Sequence, residues 1–89
     1  MKMTPQEVAA HLSVVNEEAV IYDGFEECLV GVCYQFGRPT VAAYDYDLCI
    51  KTLMERDGMS QEDAIEFFDF NTLGLSVGEN TPVFIATDL

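Results

Sequence analysis

Two groups of carboxylates set the chemical options of this chain. Glu62, Asp63, Glu66 and Asp69 recur at intervals of three and four, the spacing that lines side chains along one face of a helix. Asp23, Glu26 and Glu27 gather beside Gly24, where Asp-Gly marks a turn. Such groups can serve acid–base catalysis, hold a hard cation, or attract a basic surface. Catalysis would need one carboxylate whose pKa a neighbour has shifted, and nothing in the order of residues supplies such a pairing. With 16 acidic residues in 89, some fall side by side by chance. Calcium needs oxygen ligands alternating about a glycine, and Asp57-Gly58 followed by Glu62 and Asp63 does not follow that pattern.

The softer ligands lead no further. Cys28, Cys33, Cys49 and His11 make a set of zinc-ligand types on paper. They lack the short Cys-Cys knuckle of structural zinc sites, and in a regular strand Cys28 and Cys33 point to opposite faces. His11 shares an apolar helical stripe with Val8, Leu12 and Val15, which predicts a packed imidazole and not a base or ligand. Cys49 lies on the packed side of its helix, unsuited to nucleophilic catalysis. The odd cysteine count implies buried, reduced thiols and no disulfide framework. No metal, cofactor or enzymatic activity is expected.

Charge then selects the class of partner. Four basic residues (Lys2, Arg38, Lys51 and Arg56) against 16 acids leave a net charge of −12. Such a chain cannot neutralise a phosphate track and is repelled by anionic membrane, so direct nucleic-acid and membrane binding are excluded. The same field draws in basic protein surfaces, and carboxylates on a rigid face can occupy a groove built for phosphates. The plainer alternative is a solvated helix face on an acidic protein. In that case the Glu62–Glu66 repulsion remains as a small burden of a few tenths of a kcal/mol.

The elements that must position these residues are well marked. Thr4-Pro5-Gln6-Glu7 opens a first helix with a capping box and proline at its first position. Cys28–Phe36 alternates apolar residues on both sides and reads as a central strand buried on both faces, with Gly31 at a bulge or close approach. Gly37-Arg38-Pro39 is the expected turn, and Thr40–Tyr44 the returning strand. Asp45 caps a helix whose inner face is Tyr46, Cys49, Ile50, Leu53 and Met54, and Asp57-Gly58 ends it. Ser60 caps the next helix, with Asp63 in the place of a capping-box acid and Ala64, Ile65 and Phe68 as the apolar stripe. A glycine-punctuated connection (Leu73-Gly74-Leu75, then Gly78-Glu79-Asn80) leads to a terminal strand Val83–Ala86, after which Thr87-Asp88-Leu89 is a tail.

The run from Tyr44 to Asn71 (YDYDLCI, LMERDGMS and EDAIEFFDFN), with an upstream DGF and a TPVFI near the end, resembles a family of small proteins common in tailed-phage and prophage genomes. The resemblance covers most of the chain after about residue 20, and the RDGMS joint with its flanking helices is its specific part. It implies a phage or prophage setting and carries over neither an activity nor catalytic residues.

Together these readings predict one α+β domain: an N-terminal helix, an antiparallel hairpin, a helical hairpin, and a last strand closing a small sheet whose one face the helices cover. Met1-Lys2 is not followed by an apolar leader core, so a protein of the host cytoplasm is expected. The function expected is a phage-encoded, non-enzymatic inhibitor of the anti-CRISPR kind. It would bind the basic surface of a host protein or ribonucleoprotein complex through Glu62, Asp63, Glu66 and Asp69, with Asp23, Glu26 and Glu27 as a second patch. The competing expectation is a structural or homodimeric phage protein that uses Phe67, Phe70 and Leu75 as an apolar contact.

Overall fold

Where the first helix begins, local chemistry decides it. Thr4 accepts from the Glu7 amide at 3.2 Å and the Glu7 carboxylate accepts from the Thr4 amide at 2.8 Å, so two otherwise unpaired donors are satisfied at once. In the computed structural model, which describes residues 3–73 and 78–86, this helix is α1 (Pro5–Val15). A 3₁₀ turn over Glu26–Cys28 leads into β1 (Leu29–Gln35), and β2 (Arg38–Asp45) returns antiparallel to it. Next come α2 (Tyr46–Asp57), α3 (Gln61–Phe68) and a wider π turn over Asp69–Leu73. After a 3₁₀ turn over Gly78–Asn80, β3 (Val83–Ile85) runs parallel to β2.

The α+β architecture is the one the sequence predicts, but the sheet is arranged differently from expectation. Its order is β1-β2-β3, so the central strand is β2 and β1 is an edge. Val41, Ala42, Ala43 and Tyr44 are all buried, whereas Val30 and Tyr34 in β1 are 49% and 69% exposed. An apolar run reads the same on an edge as in the middle of a sheet; which strand gains a second neighbour depends on where the distant β3 docks. Gly31 does mark an irregularity, because the register slips between Leu29 and Gly31. The hairpin turn is one residue earlier than expected. Gln35 already pairs with Arg38, leaving Phe36-Gly37 as a two-residue turn in which Gly37 takes φ 73°.

One hydrophobic cluster joins the layers. α1 contributes Val8 and Leu12, α2 contributes Cys49, Ile50 and Leu53, and α3 contributes Ala64 and Phe68. They pack on the sheet face that carries Leu29, Ala42 and Tyr44, so all three helices lie on one side. Phe68 anchors α3: its ring meets Phe25, Tyr46 and Phe84 edge-on at 5.6, 5.5 and 5.1 Å between centroids. Among the described residues no helix is long and apolar enough to cross a membrane.

Candidate protein-interaction surface

A helix that buries Phe68 and Ala64 must turn its other sides outward. Ser60 starts α3 by accepting from the Asp63 amide at 3.2 Å, one half of a capping box. The shorter Asp side chain makes no return bond among the bonds of the described residues, unlike Glu7 in α1. From this start Glu62, Asp63, Glu66, Phe67, Asp69 and Phe70 are all exposed. The π turn gives the end of the helix its form. Asn71 donates its side-chain amide to the Phe67 carbonyl at 3.0 Å, and Phe70 is left 84% exposed beside Phe67, itself 43% exposed.

Met59, Asp63, Glu66, Phe67, Phe70 and Asn71 line a shallow groove of about 470 Å³. Its lining combines thioether and aromatic surface with two carboxylates. Asp69 sits apart from the other three acids, where its Oδ1 accepts from the Tyr46 hydroxyl at 3.0 Å. Partial burial, this hydrogen bond and the nearby Asp69 and Asp47 charges push the Tyr46 phenol above its ordinary pKa. Among the described residues the ion pairs are Lys51–Glu55 at 3.9 Å and Arg56–Asp57 at 3.4 Å, and neither involves the acids of α3. Sequence spacing identified those acids and Phe67 and Phe70. It did not identify Met59, which lies in the α2–α3 joint where no helical period applies. Nor did it identify Tyr46 as the partner of Asp69, 23 residues away. Leu75 lies outside the described residues.

The second group of acids is placed very differently. Gly24 takes φ 89° at the turn, and both carboxylate oxygens of Glu26 accept from its amide at 3.1 Å. Backbone hydrogen bonds from Glu26 itself and from Gly24 hold the Glu26 pKa below its ordinary 4.5, against some desolvation and with help from Arg56. Arg56 reaches over from α2, donates to the Gly24 carbonyl at 2.9 Å and lies 5.4 Å from the centroid of the Phe25 ring. Asp23, Glu26 and Glu27 are exposed, but Glu26 closes its own turn and feels the charge of Arg56.

The remaining candidate ligands are dispersed or packed. His11 is half-buried and its Nε2 lies 3.0 Å from the Tyr34 hydroxyl, so the imidazole joins α1 to the edge strand. Cys28 and Cys49 are fully buried, while Cys33 is half-buried, more open than the sequence suggests. Among the described residues no three His, Cys, Asp or Glu side chains converge on a point that could hold a metal ion. No protein-family model, curated protein or solved structure matches the chain.

Proposed function

We propose that this protein is a non-enzymatic interaction module that docks on a basic surface of a host nucleic-acid-handling or defence complex, as an anti-CRISPR type of inhibitor would. One observation carries the reading: α3 and its π turn hold Glu62, Asp63 and Glu66 in the open, beside exposed Phe67 and Phe70, with no cation of the described chain paired to them. Carboxylates supply long-range attraction and orientation, and the aromatic rings supply contact area once the surfaces meet. The phage setting of the proposal rests on the resemblance of residues 44–71. In a capture experiment, immobilised protein is expected to retain a basic protein from the lysate of infected cells and release it below about 0.5 M salt, as screening shortens the reach of exposed charges. The variant with Glu62→Gln, Asp63→Asn, Glu66→Gln and Asp69→Asn is expected to retain none. Retention of no basic protein, or binding indifferent to salt, would sink the proposal.

A second reading is a homodimer through the same aromatic groove, favoured by the 84% exposure of Phe70. Light scattering distinguishes the two readings: a stable dimer at micromolar concentration that Phe70→Ser dissolves supports self-association.

A further inference from the structure

β1 and β3 are the two edges of the sheet, and they are guarded unequally. β3 has three residues and follows directly on Pro82, which keeps it short as a template. β1 has seven residues, and no charged residue stands between Glu27 and Arg38. Among the described residues the backbone of 30–35 is hydrogen-bonded only to β2, so alternate N–H and C=O groups along its other edge have no protein partner. The register slips between Leu29 and Gly31 and between Cys33 and Gln35, which leaves 31–33 as the regular centre of the strand. A Cβ added at Gly31 would meet no atom within 4 Å, and Val30, Tyr34 and Phe36 are exposed beside it. At the start of β1 a recess of about 140 Å³ opens between Pro5, Gln6, Ala9, Ile21, Glu26 and Leu29. Glu26 also lines the neighbouring cleft, together with Glu27.

We propose that the free edge of β1 is a strand-addition site for an extended peptide with alternating apolar residues and a basic C-terminal end. The peptide backbone pairs antiparallel with β1, through the groups that β2 leaves unused. In that direction the end of the peptide lies at Leu29. One aliphatic side chain fits the recess there, and the basic residues that follow meet Glu26 and Glu27. Charge selects this occupant. The strand bears no charge of its own, while the two carboxylates at its start and the net charge of −12 favour a cationic peptide. A second copy of the chain would bring another net charge of −12 to the same edge. The site shares no residue with the acidic face of α3, so it stands or falls independently of the docking proposed for that face.

The test titrates the full chain with a labelled, amidated peptide of alternating threonine and valine that ends in two lysines. Saturable binding is expected, and backbone amides of β1 that exchange quickly in the free chain should become protected from hydrogen exchange. The same peptide ending in two glutamates is expected to bind about tenfold or more weaker. Substitutions at exposed positions probe the protein side, with folding checked by circular dichroism. Glu27→Lys is expected to weaken binding about tenfold, whereas Glu62→Lys, the same change of net charge placed on α3, should weaken it less than about threefold. Val30→Lys puts on the edge the kind of charge with which sheets block strand addition, and should weaken binding about tenfold or more. The proposal is overturned if binding does not saturate by about 1 mM peptide, or if it saturates while the β1 amides stay unprotected. It is equally overturned if Glu62→Lys weakens binding as much as Glu27→Lys, or if the free chain is a dimer whose β1 amides are already protected.

Discussion

The two acidic regions contain the same side chains and put them to opposite uses. Around Gly24 one carboxylate is bound into the structure: Glu26 closes its turn, and Arg56 bridges the turn to α2 while covering Phe25. Past the first turn of α3 the backbone is already satisfied by the helix, and Glu66 is left facing solvent. Whether an acid is structural or free to meet a partner depends on the donors that surround it. A local turn with an unpaired amide captures a carboxylate; the middle of a helix offers it nothing.

The free surface on α3 depends on the ring that anchors the helix beneath it. Phe68→Ala removes the ring that three aromatic neighbours enclose, and is expected to lower stability by about 3–5 kcal/mol, measured by urea unfolding. If the loss is below about 1 kcal/mol, α3 is not held by that ring. At the bound surface, Gly24→Ala is expected to cost about 1–2 kcal/mol, because φ 89° is strained for alanine and the new Cβ would lie 2.9 Å from Arg56 Nη1. Glu66→Ala on α3 should by contrast be neutral or stabilising by a few tenths of a kcal/mol, since it relieves the repulsion from Glu62.

Protonation acts differently on the two regions. The folded pKa of Glu26 lies below its ordinary 4.5, so its contribution is fully present above 4.5 and is lost as pH falls through the lower folded value. The stability difference between wild type and Glu26→Gln is thus expected at neutral pH and should vanish in acid, as read from melting midpoints across a pH series. The smallest expected effect is that of ionic strength. With a net charge of −12, added salt should raise the melting midpoint, and most of that gain should disappear in the variant with Glu62, Asp63, Glu66 and Asp69 neutralised. A midpoint that falls with salt would mean that attractive pairs such as Arg56–Asp57 outweigh the repulsion.

Much of the fold could be read from local signals. The capping box of Thr4 and Glu7, the Asp45 and Ser60 caps and the glycine at the end of α2 are all where the residue types demand, with Gly58 at φ 67°. Each depends on atoms within four residues, so no distant contact can move it. The reading of β1 as central failed for the opposite reason. Leu29, Val32 and Cys33 satisfy the pattern of a buried strand, but β3 pairs Val83 and Phe84 with Ala43 and Tyr44 on the other side of β2.

Periodicity and composition dictate the helices, their capped ends, the excess of negative charge and the row of acids on α3, because these are properties of neighbours along the chain. Packing between distant segments put Arg56 at the Gly24 turn, Tyr46 beside Asp69 and the Cys28 sulfur beside Thr52. Those pairs lie 32, 23 and 24 residues apart, and only the docking of α2 against the sheet and α3 brings them together.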